Sequence, residues 1–420
     1  MSACTSTDKT NFLLLFLLLL PVLSAWGQED RSSSWQFKGF VDTYHAVRAV
    51  KPNGFTSSRT RARGEIGKSV GGSTLFVSFN TTHNVLLKDR TGFELREAYL
   101  DHREKHWGFR LGRQLVIWGV ADGVRITDLV SPMDMTEFLT QDYDDIRMPV
   151  NALRFFVFNG NMKLELLVVP TFEGYKLPTD AENPWSVLPK NTPVPLTWND
   201  DRSKPELRFS NMEYGGKLSF ILPGMDFSLA ALHTWNKMPV ITYRSTATHV
   251  EVSPQYYRMG FFGGDVSKPL GQLVIRGEVA FNIGKHFSCK PEVIEMPGKG
   301  FNTLNYLVGV DWYAPHEWTV MVQFSSESIF GYEDNIAQPR HSSLLTFNLS
   351  KKLLESALQL SNFTYFDLSH KGWFSRFAVS YDLNDHIRLS AGYDWFGGNA
   401  GMFGTYKNNS EIWAKAKYSF

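Results

Sequence analysis

Along much of this chain, apolar and polar residues alternate strictly. In "HIRLSAGYDW", Ile387, Leu389, Ala391, Tyr393 and Trp395 share one face, while Arg388, Ser390, Gly392 and Asp394 share the other. A period of two belongs to a strand whose faces meet different surroundings. The same pattern runs through "GQLVIRGEVAFN", "NYLVGVDW" and "MKLELLVVP". It predicts strands near 34–49, 58–68, 73–82, 93–104, 108–118, 150–159, 161–171, 206–221 and 225–237. Further strands are predicted near 251–264, 268–282, 303–314, 316–326, 341–350, 354–366, 372–382, 386–396 and 409–420. That makes eighteen, with sixteen as the alternative count, and each has about ten residues, enough for a tilted bilayer crossing. Short turns such as "VGGS", "NGN", "LPGM", "APHE" and "LNDH" take turns with longer polar links. This is the asymmetry of a transmembrane barrel, short-turned on one side and long-looped on the other. The predicted fold is therefore all-β, an antiparallel up-and-down barrel whose charged face points into a wet lumen.

The two ends of the chain carry the same message. "EIWAKAKYSF" alternates to the last residue, Phe420. A closing strand must pair with the first, "SWQFKGFVDTYHAV", so that no edge is left in lipid. A terminal aromatic resembles the signature that bacterial outer-membrane barrels present to their assembly machinery. At the other end, an apolar run from Phe12 to Leu20 follows one lysine and precedes a proline and the small residues around "SAWG". That is the layout of a secretory signal peptide. Residues 1–27 form the expected signal, with cleavage after Ala25 as the alternative, and 28–420 form the barrel. A retained N-terminal anchor is the competing reading, but the run is too short to span a bilayer. Only a few residues separate the cleavage site from the first strand, so no N-terminal plug domain is expected.

Composition agrees with one-sided strands. Aromatics reach 14 %, yet charged residues reach 20 % and mean hydropathy is slightly negative. The 43 basic and 42 acidic residues nearly cancel, which gives no sign of a nucleic-acid partner. Of the two cysteines, Cys4 leaves with the signal, so Cys289 has no partner for an intramolecular disulfide. No P-loop, dinucleotide fingerprint or zinc spacing is present, and the 11 histidines are scattered. "DYDD" lacks the ligand spacing and glycine of a known calcium loop. No catalytic residue, metal or cofactor is expected, and the chain is not read as an enzyme.

Candidate chemistry gathers in two places. The link after the fifth strand, 119–149, holds seven acids, Asp122, Asp128, Asp134, Glu137, Asp142, Asp144 and Asp145, against Arg125 and Arg147. It is also rich in Val, Leu, Met and Phe, unusual for a loop left in water. Such a third extracellular loop is expected to fold inward and narrow the barrel. On the second strand, Arg59, Arg61 and Arg63 occupy alternate positions, so they stack on one face about 7 Å apart. Against lipid they would be prohibitive. In the lumen they form a basic ladder that the acidic loop could balance, setting a transverse field; a plain solvated face is the alternative. Glu97 and Arg113 break the alternation of their strands at positions that a tight turn brings opposite each other. A cross-strand ion pair is one explanation and a bulge turning them inward is the other. The proline-rich segment 172–205 reads as an irregular extracellular loop whose aromatics either stack on a sugar or pin the loop to the rim.

The stretch "LREAYLDHREKHWGFRLGRQLVIWGVADGVRITDLVSPMDM" resembles a family of bacterial outer-membrane porin-like barrels. That family carries a "REAYLD … GRQxVxWG … D … NP.D" pattern and is distantly similar to the alginate-export barrels. Matching residues include Arg96 to Leu100, Gly112 to Gln114, Trp118, Gly119, Asp128, Pro132 and Asp134, and Ser131 stands where the pattern has asparagine. The resemblance implies a barrel and a pore and leaves the solute open. The expected role is an outer-membrane channel for passive diffusion of small polar or charged solutes. The alternatives are a dedicated channel for a polysaccharide or other large anion, or a closed barrel with enzymatic or adhesive loops. Expected partners are outer-membrane lipid and lipopolysaccharide, the assembly machinery through Phe420, and small solutes.

Overall fold

A computed structural model describes residues 35–188, 194–200, 204–290 and 298–420, apart from the side chain of Asp144. The expected signal peptide, 1–27, lies outside the described residues. Strands follow one another as β1 (Gln36–Arg48), β2 (Phe55–Val70), β3 (Ser73–Asn84), β4 (Gly92–Arg103), β5 (Trp107–Gln114), β6 (Val150–Asn159) and β7 (Met162–Val169). A short β8 (Leu196–Trp198) leads to β9 (Glu213–Leu222) and β10 (Met225–Trp235). After β11 (Val240–Ser245) and β12 (Val250–Gln255) come β13 (Arg258–Leu270), β14 (Leu273–Phe287), β15 (Lys299–Ala314) and β16 (Trp318–Ile329). The chain closes with β17 (His341–Leu353), β18 (Leu358–Asp367), β19 (Gly372–Asp382), β20 (Ile387–Gly397) and β21 (Glu411–Ser419).

Eighteen of these strands form one antiparallel sheet, and β21 pairs with β1 to close it. Closure runs to the last residue: Gly39 and Phe420 exchange two backbone hydrogen bonds at 3.0 Å each. Gly39 has to be glycine here, because a Cβ would meet the Arg63 carbonyl at 2.5 Å and the Phe420 ring at 2.7 Å. The alternation in the terminal strand therefore has its cause in a seam that leaves no free edge. Ile412, Tyr418 and Phe420 face outward at 49–60 % exposure, while Glu411 and Trp413 are buried on the inner face. The predicted eighteen strands correspond one to one with the strands of the barrel.

Two local readings needed correction. Segment 251–264 is not one barrel strand, because the chain breaks between Gln255 and Arg258. β12 pairs with β11 and, in parallel, with β8 in a separate three-stranded sheet among the loops. Alternation shows that a strand has two faces and not which sheet it joins. The glycine pair Gly263–Gly264 then sits inside β13, where a Cβ at Gly263 would meet the Val279 carbonyl at 2.5 Å. The turn from β13 to β14 falls at Gly271, which adopts φ +62°.

The fifth strand also ends early, at Gln114 rather than 118. Past that point side chains take over the backbone donors. Leu115 N donates to Glu97 at 2.9 Å, Val116 N to Ser131 Oγ at 2.9 Å and Trp118 N to Asp128 at 3.3 Å. Val116 and Trp118 turn into the barrel and join a buried cluster with Ile126, Val130, Leu232 and Phe261. The apolar residues of the acidic loop are thus part of a core.

Candidate functional site

The segment between β5 and β6 lies inside the barrel and crosses it. Near its start, Trp118 Nε1 donates to Glu165 on β7 at 3.0 Å, and Lys217 on β9 donates to the Trp118 carbonyl. Further on, the amides of Val120, Ala121 and Thr127 and the Thr127 hydroxyl all donate to Glu278 on β14, at 2.5–3.0 Å. Gln323 on β16 brackets Asp122, accepting from its N–H at 3.2 Å and donating to its carbonyl at 2.8 Å. Tyr365 on β18 donates to the Gly123 carbonyl at 2.7 Å, and Arg376 on β19 to the Thr140 carbonyl at 2.7 Å. The donors and acceptors come from strands all around the wall. A loop bonded to opposite sides of a barrel has to traverse its lumen.

Each acid of the loop whose side chain is described meets a cation. Asp122 pairs with Arg276 on β14 at 2.9 Å. Asp128 pairs with Arg147 at 3.3 Å and Arg125 at 3.6 Å, both within the loop. Asp134 pairs with Arg90, and Asp142 with Lys415 on β21 at 2.7 Å. The densest contacts involve the arginines of β2. Arg59 pairs with Glu137, which also accepts from Ser57 at 2.9 Å and Asn84 at 3.0 Å. Arg61 grips Asp42 with two nitrogens at 3.2 and 2.7 Å and Asp145 at 2.9 Å. Arg63 holds Asp145 at 2.9 Å and Asn80 at 2.8 Å. Asp144 shares the short helix Tyr143–Ile146 with Asp145, and its side chain lies outside the described residues. Burial would raise the Asp145 carboxyl, but Arg61 and Arg63 outweigh it and hold that group far below the usual carboxylate range.

The ladder and the acidic loop are therefore in direct contact. They form a network of charge-assisted hydrogen bonds on the β1–β4 wall. Both sets of residues were singled out from sequence, while the strand residues that receive the loop's backbone, Glu278 and Gln323 above all, were not. Each looked like one more polar residue on an inward face.

Glu97 and Arg113 do not form the expected pair. Arg113 stands in register with Ala98, donates to the Leu95 carbonyl at 3.1 Å and lies 3.9 Å from Glu173. The pairing of Phe79 with Leu95 and of Ser78 with Glu97 leaves Arg96 as an extra residue, a bulge. The offset from Arg113 has a different cause: the β4–β5 pairing runs unbroken from the turn and sets Ala98, not Glu97, opposite Arg113, and Glu97 accepts from Leu115 at the mouth of the loop. Two aromatics of the proline-rich segment, Trp185 and Phe172, serve packing. Trp185 is fully buried and lies 5.8 Å from Phe138 and 5.3 Å from both Phe396 and Tyr406. Phe138 reaches this nest from a left-handed backbone, φ +51°. Phe172 meets Tyr256 edge-on at 4.6 Å.

Beside the ladder, between Thr140–Asp142 of the loop and strands β17–β21, a cavity of about 420 Å³ remains. Arg59, Arg376, Arg388, Lys415 and Lys417 line it against a single acid, Asp142. Serines and carboxamides from β17 and β18, such as Asn348, Ser350, Gln359 and Ser361, supply much of the remaining surface.

Residues 42–420 match a family described as "Protein of unknown function (DUF1302)". No curated protein matches the sequence. Among solved structures, the chain is similar to OccK3 (OpdO) of Pseudomonas aeruginosa, with a TM-score of 0.54 at 9% identity, over 92% of this chain and 96% of that one. It is also similar to OccAB1 of Acinetobacter baumannii, with a TM-score of 0.53 at 9% identity, again over 92% and 96%. At such identity the likeness is one of fold.

Proposed function

The chain belongs to the DUF1302 family, and from its own geometry we propose that it is an outer-membrane channel of porin type. Small polar or charged solutes pass it by diffusion, through a lumen narrowed by its third extracellular loop. The observation that carries this reading is the loop itself, bonded at both ends and along its length to the inner wall of a closed eighteen-strand barrel. A barrel of that size encloses an aqueous space unless something fills it. Here the filling is one loop, and polar cavities remain beside it. The exposed apolar and aromatic residues of the outer face suit lipid, and the terminal Phe420 suits recognition by barrel-assembly machinery. The distant kinship with alginate-export barrels belongs to the same reading, although a lumen crossed by a loop favours small solutes over a polymer.

The test is electrical. Refolded protein in a planar bilayer is expected to give steady single-channel steps in potassium chloride, with a reversal potential displaced from zero in a salt gradient. A barrel that folds and inserts, shown by its resistance to unfolding in detergent at room temperature, yet passes no current would overturn the reading.

A further inference from the structure

The wall that faces the loop across the cavity differs chemically from the ladder wall. On the ladder wall nearly every charged group has a partner. On the other wall several polar groups have none among the described residues. Lys417 forms no ion pair among the described residues; its ammonium lies 4.3 Å from the centre of the Phe40 ring. Asp42, the acid in register with it, is committed to Arg61 and stands 3.6 Å from Lys415. The other residue in register with Lys417 is Arg388, so two cations oppose each other across adjacent strands. Like charges placed directly opposite destabilise a sheet. Arg388 is offset by Asp382, at 2.6 and 2.7 Å, and Lys417 is not. The half-buried side chains of Gln141, Ser350, Gln359 and Ser361 make no hydrogen bond among the described residues either. Uncommitted hydroxyls and carboxamides beside a cation without an ion pair make a surface ready to bind something that carries both acceptors and a negative charge.

We infer that this cavity is a solute-binding subsite of the channel, selective for small hydroxylated carboxylates. The carboxylate lies against Lys417. The hydroxyls of the solute exchange hydrogen bonds with Gln359 and Ser361 on the wall and with Gln141 on the loop. Because the oxygen-rich surface offers donors and acceptors at several heights, a solute can pass from one set to the next without shedding all of its hydrogen bonds at once. A cavity of about 420 Å³ has the size of a small-molecule site. The inference rests on the channel reading and names the solute class for it.

Three probes separate charge from hydroxyls: gluconate has both, sorbitol has the same carbon skeleton without the charge, and propionate has the charge without the hydroxyls. Isothermal titration calorimetry of the refolded full chain in detergent is expected to rank gluconate at least tenfold tighter than either of the others. Lys417→Gln should weaken gluconate about tenfold and leave sorbitol unchanged. The pair Gln359→Ala and Ser361→Ala should weaken gluconate and sorbitol together and leave propionate unchanged. Should one variant fail to fold, the other still reads the site. Equal binding of gluconate and sorbitol, gluconate no tighter than propionate, or no binding at all overturns the inference. Calorimetry does not need current to flow, so a chain that conducts without binding gluconate refutes the subsite alone. A chain that binds gluconate without conducting refutes the channel alone.

Discussion

The β1–β4 wall and the β17–β21 wall enclose the same lumen and carry the same kinds of residue, yet they differ in how far their charges are spent. On the first, Arg59, Arg61 and Arg63 are saturated by Glu137, Asp42 and Asp145. On the second, Lys417 and a set of amides and hydroxyls stay open to the cavity. What decides the difference is where the acidic loop docks. A charge already buried in a pair mainly holds structure, because removing its partner leaves an uncompensated ion. A charge left facing water is available to a solute. The ladder, which looks from sequence like the selective element, is on this account the fastening of the loop, and the plainer wall is the one that meets what passes.

The largest expected effect comes from breaking the fastening. Arg61→Ala takes from Asp42 its bidentate partner and leaves Asp145 to Arg63 alone, and a broken buried pair costs about 3–5 kcal/mol. The loop should loosen from β2, seen as larger and noisier single-channel steps and a lower unfolding temperature in detergent. A quiet, unchanged channel would mean that the ladder is not the anchor. Next is the aromatic nest. Phe138→Ala empties the space between Trp185, Phe396 and Tyr406, at a cost of about 3 kcal/mol, the lower range for a buried phenylalanine. The left-handed φ at Phe138 favours a Phe138→Gly control, which should lose the packing and keep the backbone. Comparing their thermal shifts separates ring packing from strain.

A smaller change is expected from Glu278→Gln. The amide keeps one acceptor oxygen and loses the charge that draws four donors, worth about 1–3 kcal/mol. Hydrogen exchange should then quicken at Val120, Ala121 and Thr127 and stay unchanged at Asp145. The smallest effect concerns acid. Asp145 has its folded pKa depressed, so its contribution is present above the ordinary carboxylate pKa of about 4 and fades as pH falls further. Conductance should hold steady from neutral pH down to about pH 4 and change only below it. A transition between pH 5 and 7 would place the controlling group elsewhere.

How much of this was legible follows from the range of each interaction. Strand alternation is a local pattern, so the inward face of "SRTRARGEIG" and the outward face of "HIRLSAGYDW" could be read directly. The closing role of Phe420 could also be read, because a strand at the end of a chain has to pair with the one at its start. The apolar content of 119–149 announced a loop with somewhere to pack. Its partners could not be read. Val120 is 158 residues from Glu278, and Thr140 is 236 residues from Arg376. No periodicity links positions so far apart; only the closed barrel does. The same limit explains the small loop sheet, because "VEVSPQ" alternates like any barrel strand. The Glu97–Arg113 expectation failed for a local reason, since the geometry of the turn between β4 and β5 decides the register by one residue and sets Ala98 opposite Arg113.

The most direct test of the contrast between the walls is the reversal potential in a potassium chloride gradient. Two variants are compared with the unaltered chain: Lys417→Gln, and the double change Arg63→Gln with Asp145→Asn. The account predicts an anion-preferring channel whose preference falls sharply with Lys417→Gln. Removing the Arg63–Asp145 pair as a unit should barely move it. A larger shift from the double change than from Lys417→Gln would contradict the account and return selectivity to the ladder.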